Sequence, residues 1–307
     1  MDGALVVVQL LNGIQLGVLL FLVAAGLTLV FGIMDFVNLA HGALYMIGAF
    51  ICASLTLALD SFLIAIALAL PATFIVGYLI ERVFICHLYH RDHLDQVLAT
   101  FGLILVFDTL VHMLWGPAGI SYPLPNWMNG QVNLFGFVDF PLYRLLIIFS
   151  GITVAIGLYF VIVRTKTGML IRAGASNRTM ISALGVNINQ LFRYVFATGA
   201  MLAGFAGMII APITEASIGM GSDVLLIAFV VIIIGGIGSI RGALIASLIV
   251  GLIDTMGRSF LDDLMKLVVS NQAAETSAPA LSAMLVYILM AAILFFRPQG
   301  LFPPKTR

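Results

Sequence analysis

Long apolar runs, separated by short polar breaks, make up most of this chain. A helix that spans a membrane needs about 20 mostly apolar residues. Runs that approach or exceed this length lie at residues 6–30, 44–59, 62–80, 97–115, 142–163, 191–213 and 281–296. A further apolar stretch, at 223–254, is too long for one simple pass. The pattern predicts a single-domain (1–307), all-α polytopic membrane protein with about eight transmembrane segments, some of them discontinuous or re-entrant.

The first polar break lies in residues 31–48, FGIMDFVNLAHGALYMIG, which place Asp35, Asn38 and His41 in apolar surroundings. The bilayer interior tolerates polar side chains and irregular backbone only where they face protein or a water-filled cavity. The stretch is therefore either a loop between two passes or a broken helix beside a path. We favour the path over a short surface loop that carries a histidine. Asn38, His41 and Gly42 are the first candidate path residues.

A glycine cluster interrupts the stretch 223–254 in a similar way. The sequence GGIGSIRG at 235–242 leaves about ten to twelve apolar residues on each side, which is too short to span a bilayer. Glycines in such clusters permit sharp bending and expose backbone amides. Three of them, Gly235, Gly236 and Gly238, join the candidate path residues.

A short sequence echo links the two breaks. HGAL at 41–44 and RGAL at 241–244 each follow a glycine-containing break and open an apolar helix. Transporters often consist of two structural repeats whose broken helices meet at the substrate site. The echo indicates either an internal repeat or, equally well, chance similarity in a chain rich in glycine, alanine and leucine.

The segment 164–193 differs from the rest of the chain because its charges are all positive. It has no Asp or Glu, and its basic residues are Arg164, Lys166, Arg172, Arg178 and Arg193. The positive-inside rule makes this segment cytoplasmic. Apolar residues at helical spacing predict one short amphipathic helix at 169–184, which Gly185 ends as a helix C-cap. Such a helix lies in the headgroup region or docks into a groove on a partner protein.

Orientation follows from this cytoplasmic loop. The last apolar run ends in Arg297, with Lys305 and Arg307 close behind, so the tail is also expected inside. The stretch 223–254 must then begin and end on the outer side. A re-entrant hairpin of two half-passes satisfies this requirement. A single crossing would need part of 257–279 to cross as well, and the charges in that region argue against it.

Composition supports the membrane assignment. Of the 307 residues, 62% are hydrophobic and 9% are charged, and the mean hydropathy is +1.16. A soluble domain carries about a quarter charged residues. The formal net charge is zero, so nothing points to nucleic acid or to an acidic partner. Cys52 and Cys86 have neither metal-ligand nor disulfide spacing and are expected to be packing residues.

Other polar and small residues have ordinary structural explanations. The loop at 86–95 holds His87, His90 and His93, and we interpret it as an interfacial polar loop rather than a zinc site. Asp108 and His112 share a helix face, where an interfacial ion pair explains them at least as well as a transport role. Residues 116–141 predict an extended loop or a small cap. Tight helix packing is predicted for small residues of the sixth run, Gly199, Gly204 and Gly207.

Three sequence blocks resemble the branched-chain amino acid permease family of bacterial ABC importers. They are GLTLVFGIMDFVNLAHGALYMIGA at 26–49, RTKTGMLIRAGASNRTMISALGVNINQLF at 164–192, and FVVIIIGGIGSIRGALIASLIVG at 229–251 with RPQGLF at 297–302. They follow the family's order from end to end. The chain looks closer to the first of that family's two paired permeases, because it is short and starts directly with the first block.

The resemblance implies a permease subunit of the bacterial inner membrane that works by alternating access. Its substrates would be branched-chain or other amino acids, or related small polar solutes such as urea and short amides. A second permease subunit, commonly a different chain in a heterodimer, would enclose the path, and an extracytoplasmic binding protein would deliver the solute. Two separate ATP-binding subunits would hold ATP and Mg²⁺, so this chain would carry no cofactor.

The resemblance also places a coupling segment, which docks on the ATP-binding subunit, at 172–185. Its candidate residues are Arg172, Ala173, Asn177, Leu184 and Gly185. The sequence departs from the family's pattern at 177–179, where a more acidic stretch is usual, and at 38–39, where Asn-Phe is frequent. These departures leave the partner ATPase and the substrate open.

The residues themselves exclude some functions. The chain has no GxxxxGK[ST] phosphate loop, so an ATP-driven role needs a partner. It has no HExxH or GxSxG motif and no clustered cysteines, which argues against a membrane enzyme and against a catalytic or metal site. The alternative is an ion-coupled secondary transporter. That protein would act as a single chain, with Asp35, Asp108 or Glu215 as the ion site.

Overall fold

The computed structural model of the chain describes residues 3–134, 136 and 138–302. The tail residues Lys305 and Arg307, predicted to lie on the cytoplasmic side, fall outside the described residues. Helices make up most of the structure, as expected where backbone groups have no water to bind and must pair within their own segment.

The secondary structure follows the apolar runs closely. The helices are α1 (Gly3–Met34), α2 (His41–Leu59), α3 (Phe62–Val83), α4 (His93–Trp115), α5 (Leu142–Arg164), α6 (Lys166–Ser176), α7 (Arg178–Ala183), α8 (Ile188–Thr214), α9 (Met220–Gly235), α10 (Ile240–Met265) and α11 (Asn271–Phe296). Two strands form an antiparallel hairpin, β1 (Gln131–Leu134) and β2 (Val138–Pro141).

Within the described residues, eight helices are long and apolar enough to cross a membrane. They are α1 to α5, α8, α10 and α11. Helix α9 is also apolar but has only 16 residues. The predicted all-α polytopic fold is therefore confirmed, with α6 and α7 forming the basic loop between two of the long helices.

Helix α1 lies at the centre of the bundle. Every residue from Gly17 to Val30 is buried, which is typical of a helix that is apolar on all sides. Helix α10 packs closely along it, because the backbone at Gly251 lies directly against Gly13 and Gly17. A side chain at any of these three glycines would separate the two helices. Small residues thus allow close backbone contact where lipid offers no hydrophobic driving force for helix association.

Helix α8 forms the second axis of the bundle, between α2 and α3. Gly204 lies against Gly48 of α2, and Gly207 lies against the Tyr45 carbonyl group. Gly199 packs against Gly26 of α1. The prediction that the glycines of this run serve tight packing is confirmed.

A small cap covers one end of the bundle, as predicted for residues 116–141. It contains the β1–β2 hairpin and is anchored by Tyr122, whose hydroxyl donates to the Met208 carbonyl oxygen at 3.0 Å. Ile120 pairs with Ala216 just after α8 through two backbone hydrogen bonds. Burial raises the pKa of the Tyr122 hydroxyl, which therefore stays protonated as a donor.

The structure corrects the predicted segments after residue 220. The apolar halves on either side of the glycine cluster are not ten to twelve residues long, because α9 has 16 residues and α10 has 26. Helix α10 continues into the charged region, where Arg258 pairs with Asp254 at 2.9 Å and Lys266 pairs with Asp262 at 2.6 Å. These pairs are four residues apart and stabilise the last turns of the helix.

Helix α11 also begins earlier than the sequence pattern indicated, at Asn271 instead of residue 281. The added turns are rich in alanine, the strongest helix former. Between α9 and α10, the turn at Gly238 and Ser239 lines the same cavity as Arg172 of α6. The α9–α10 hairpin therefore reaches the end of the bundle that carries the basic loop.

Candidate transport path and coupling surface

The break between α1 and α2 is an extended segment that α4 holds in place. It begins at Asp35, whose positive φ of 48° ends α1. The Val37 amide donates to Oε1 of Gln96 at 3.2 Å, and the Leu39 amide donates to Oγ1 of Thr100 at 3.1 Å. Side chains of α4 thus bind backbone groups that the interrupted helix leaves without partners, as irregular backbone at membrane depth requires.

Asn38 lies in the middle of this segment and is fully buried. Neither Nδ2 nor Oδ1 of its side chain has a hydrogen-bond partner among the described residues. An unsatisfied buried polar group costs about 1–3 kcal/mol, so a purely structural residue at this position would be apolar. The side chain keeps both donor and acceptor capacity inside the bundle.

His41 begins α2 deep inside the molecule. Its Nε2 lies 3.1 Å from the Val23 carbonyl oxygen, so Nε2 carries the proton and donates. Its ring lies against Gly26, which in turn packs against Gly199 of α8. Val23 lies about eleven residues from the end of α1, and Gly199 lies about as far from the start of α8. At 1.5 Å per residue, α2 begins about 16 Å from the basic end of the bundle, near the middle of a 30 Å hydrocarbon layer.

Gly42 brings the start of α2 against the start of α9. Its backbone lies directly against that of Gly221, and a side chain on either glycine would push the helices apart. Neither helix start has a side-chain cap, since Ala40 precedes α2 and Gly219 precedes α9. The positive ends of two helix dipoles therefore lie close together at mid-depth. The sequence pattern had indicated Gly42 but not Gly219 and Gly221.

The second break lies elsewhere, at the basic end. Gly235 packs against Gly242, Gly236 packs against Gly300, and Gly238 packs against Gly32. Gly236 and Gly238 have φ values of 99° and 84°, which glycine adopts without strain. The C-terminal segment also binds here, because the amide of Leu301 donates to Ile234 and that of Phe302 to Gly235. The structure therefore places Gly235, Gly236 and Gly238 apart from Asn38, His41 and Gly42.

A cavity of about 1150 Å³ opens at the basic end. Its lining includes Asp35 at the end of α1, Arg172 and Ala173 of α6, and Gly238 in the α9–α10 turn. Gly238 is the one predicted path residue that reaches this cavity. The cavity therefore joins the first break, the second break and part of the predicted coupling segment.

The predicted coupling helix is in fact two helices. Asn177 adopts an extended conformation, with φ −154° and ψ 98°, between α6 and α7. Its Oδ1 accepts a hydrogen bond from the Met180 amide at 2.9 Å and so caps α7. Short polar side chains of this type compete with the helical backbone, which explains why a single helix at 169–184 was a wrong prediction.

Gly185 ends α7 as predicted. Its φ is 86°, and its amide donates to the Ser182 carbonyl at 3.0 Å while the next amide, of Val186, donates to Ile181 at 3.3 Å. This pair of bonds is a Schellman motif. Beside it, Leu184 leaves 73% of its surface exposed, which makes it the most prominent apolar side chain of the segment.

Comparison with known proteins identifies the family. A family model described as "Branched-chain amino acid transport system / permease component" matches residues 9–294. The chain belongs to this family. Its members are transport proteins and not enzymes.

Three relatives show how close the match is. The permease protein BraD of a branched-chain amino acid transport system from Pseudomonas aeruginosa is 31% identical over 95% of this chain and 94% of its own length. LivH from Salmonella typhimurium is 28% identical, over 85% of this chain and 89% of its own. LivM from Methanocaldococcus jannaschii, a probable branched-chain amino acid transport permease protein, is 25% identical over 78% of this chain and 68% of its own length. No solved structure matches the chain significantly.

The family includes permeases of two kinds, LivH and LivM, which supports a second permease as a partner of this chain. The match argues against the alternative of an ion-coupled secondary transporter, because members of the matched family are permease components of a larger transport system. The sequence pattern had favoured an interfacial ion pair between Asp108 and His112 at least as much as a transport role, and that ion pair was a wrong prediction. The two side chains form no ion pair within the part of the chain that the structure describes.

The chain also has a buried ionic cluster that sequence reasoning missed. Glu81 is fully buried, and its two carboxylate oxygens accept hydrogen bonds from Tyr89 at 2.6 Å and from Arg193 at 2.8 Å. Burial, and secondly the Glu81 carboxylate, raise the pKa of the Tyr89 hydroxyl, which remains a donor. In the sequence, Glu81 marked only the end of an apolar run.

The same cluster touches both the coupling segment and the first break. The Tyr89 ring packs edge-on against Phe36 of the break and against Phe192 of α8. The guanidinium group of Arg178, at the start of α7, lies over the Phe192 ring, 5.2 Å from its centre. A continuous set of packed side chains thus runs from α7 to the break.

The histidine loop has a structural explanation in part. His93 begins α4, and its Nδ1 lies 3.4 Å from Oε1 of Gln96, the residue that binds the first break. Gln96 also donates to the carbonyl groups of Leu88 and Arg91, so it ties the loop to the break. Among the described residues, no three His, Cys, Asp or Glu side chains come together as metal ligands.

Proposed function

We propose that this chain is a permease subunit of an ATP-driven importer of branched-chain amino acids or related small polar solutes in the bacterial inner membrane. One observation carries the proposal. The six residues between α1 and α2 run from the cavity beside Arg172, at the basic end, to the mid-depth start of α2 at His41. A single short segment therefore connects the coupling surface with the centre of the membrane.

The path itself is proposed to pass the paired starts of α2 and α9. The helix dipoles at Gly42 and Gly221 favour a negative group such as a substrate carboxylate. Asn38, which has no hydrogen-bond partner among the residues that the structure describes, would supply a donor and an acceptor when the break opens. Gly235, Gly236 and Gly238 would act lower in the path, where the α9–α10 turn meets the cytoplasm.

The coupling surface is proposed to be the α6–α7 pair. Arg172, Asn177 and Leu184 are exposed on it, while Ala173 and Gly185 shape the two helix ends. An exposed apolar residue beside basic residues suits a groove on a second protein. The ATP-binding subunits would bind there and hold ATP and Mg²⁺, since this chain has no phosphate loop.

Alternating access would arise from movement of the break between α1 and α2. Movement of α7 would reach Phe36 through Phe192 and Tyr89, and would shift the break against Gln96 and Thr100 of α4. The second permease would complete the path, and an extracytoplasmic binding protein would deliver solute to the capped end. Specificity would depend largely on that binding protein.

The test is co-purification of the full chain with its ATP-binding subunit, followed by reconstitution. We expect Arg172→Glu to reverse the charge of the coupling surface, and Gly185→Pro to destroy the cap of α7, so both lose the ATPase subunit. Arg91→Glu is the matched control, because Arg91 is exposed in another polar loop at the same end. Solute uptake by this chain alone, driven by an ion gradient, would contradict the proposal and support a secondary transporter.

A further inference from the structure

Three arginines from separate elements line the cavity at the basic end. They are Arg172 of α6, Arg178 of α7 and Arg241 of α10. None of them has a carboxylate within 4 Å among the described residues. The one acidic residue in the lining is Asp35. The cavity therefore concentrates positive charge without a matching protein anion, an arrangement that favours a bound negative group.

Two of the arginines are held in position by aromatic rings. Arg178 lies 5.2 Å from the centre of the Phe192 ring. Arg241 lies 5.2 Å from the centre of the Tyr159 ring and donates from Nη2 to the Tyr159 hydroxyl at 2.9 Å. Stacking fixes a planar guanidinium group and leaves its remaining N–H donors free, which lowers the entropy lost when it binds a phosphate.

The lining also has an apolar part, beside Ser176 and Ser239, and the cavity borders a helix face that is exposed to lipid. The apolar residues are Phe31, Ile33, Ile162, Val163, Ile237 and Ile240. Tyr159 lies about 8 Å before the end of α5, at the rise of 1.5 Å per residue. The next residue, Phe160, leaves 61% of its surface exposed on the outside of the bundle. The cavity thus lies at headgroup depth beside the lipid-facing surface of α5.

The volume of the cavity excludes the smallest candidates. At about 1150 Å³ it exceeds the 300–1,000 Å³ typical of pockets for drug-sized ligands. A free phosphate ion or one amino acid would leave most of this space empty. A phospholipid headgroup with the first part of its acyl chains matches both the basic and the apolar lining.

We propose that this cavity binds an anionic phospholipid of the cytoplasmic leaflet, with Arg178 and Arg241 on its phosphate group and the isoleucine side chains along its upper acyl chains. Basic pockets between membrane helices on the cytoplasmic side suit such headgroups. The site would hold lipid beside the α9–α10 turn and the coupling segment. The proposal does not depend on which solute the chain transports.

The test uses the full chain purified in neutral detergent. It is incubated with equal amounts of dilauroyl phosphatidylglycerol and dilauroyl phosphatidylcholine, and retained lipid is measured by native mass spectrometry. We expect preferential retention of phosphatidylglycerol. Arg178→Gln or Arg241→Gln should each weaken that retention about tenfold, the loss expected for one charge-assisted hydrogen bond. Arg241→Lys, which keeps the charge but not the planar fork, should lose less.

Arg91→Gln is the matched control, because it removes the same charge from the same end but lies outside the cavity lining. Equal retention of the two lipids would overturn the proposal, as would an equal loss in Arg91→Gln. Complete displacement of phosphatidylglycerol by millimolar inorganic phosphate would also overturn it, since the occupant would then be a soluble anion. Loss of lipid when the ATP-binding subunit is added would assign the cavity to that protein instead.

Discussion

At the scale of single residues, two buried polar groups of opposite character define this protein. The Glu81 carboxylate accepts from a cationic and a neutral donor, whereas the neutral Asn38 side chain makes no hydrogen bond within the described ranges. A fully partnered buried group is expected to stabilise a defined structure, and an unpartnered one is expected to serve something else. Each expectation leads to a measurement.

Removal of the cationic partner of Glu81 should destabilise the protein strongly. In Arg193→Met the carboxylate stays buried without its cation, which costs about 3–5 kcal/mol in comparable buried pairs. Thermal unfolding of the purified chain measures this loss, with the exposed Arg91→Met as control. Glu81→Gln should cost less, since it keeps a hydrogen-bonding side chain without the charge. Equal melting temperatures for Arg193→Met and Arg91→Met would refute this view of the cluster.

Asn38→Leu should separate stability from transport. The substitution removes an unsatisfied buried amide. The free energy of unfolding should therefore stay unchanged or rise by up to about 3 kcal/mol. If Asn38 binds solute, uptake by the reconstituted importer should fall about ten- to a hundredfold, as for one or two lost hydrogen bonds. Thr28→Val is the control, because the Thr28 hydroxyl is also buried and has no hydrogen-bond partner in the described part of the chain. Unchanged uptake in Asn38→Leu would remove Asn38 from the path.

At the scale of elements, α4 holds the first break in place through hydrogen bonds. Its contact with the break consists of two side chains on successive turns, Gln96 and Thr100, which bind the Val37 and Leu39 amides. Helix α4 is otherwise largely exposed to lipid, with only a few of its residues buried. Its polar face is therefore tied to the conformation of the break.

Loss of this support should loosen the break without unfolding the bundle. In the double variant Gln96→Leu and Thr100→Val, two backbone amides lose their acceptors, at about 1–3 kcal/mol each. Hydrogen exchange of the Val37 and Leu39 amides should become faster, while exchange in the centre of α1 stays slow. Thr109→Val is the matched control, since the Thr109 hydroxyl donates to the Leu105 carbonyl of its own helix. Unchanged exchange at the break would show that α4 does not hold it.

At the scale of the whole molecule, glycine contacts set the distance between the central helices. Gly17 of α1 lies against the backbone of α10 at Ser247 and Leu248, so any side chain there collides with main chain. Main-chain atoms cannot move aside as the end of a flexible side chain can. The position of α1 relative to α10 therefore depends on this glycine.

Gly17→Val should destabilise the bundle or change its shape, at a cost of about 1–3 kcal/mol or more for overpacking. The melting temperature in detergent and the elution volume on size exclusion measure the effect. Gly102→Val provides the control, because Gly102 lies in a spanning helix with open space around its Cα. A Gly17→Val protein as stable as Gly102→Val would show that α1 and α10 tolerate a wider separation.

Local signals were sufficient for most of the architecture. Each apolar run became a helix, because twenty apolar residues in a row satisfy both the bilayer and the backbone by themselves. Neighbouring residues were also sufficient to predict the basic segment 164–193 and the cap at Gly185. Local reasoning failed at Asn177, where a side chain competed with the helix, and at Arg258 and Lys266, where ion pairs extended α10 past the point at which the apolar pattern stops.

The sequence by itself determined the membrane fold and the positions of the two breaks, because each depends on residues close together in the chain. Only the tertiary structure decided what those breaks meet. It placed Gly42 against Gly221 rather than against the glycine cluster at 235–242, and it gave Glu81 its partner Arg193. Such contacts join residues far apart in sequence, and they depend on how helices cross, which no local pattern of apolar residues encodes.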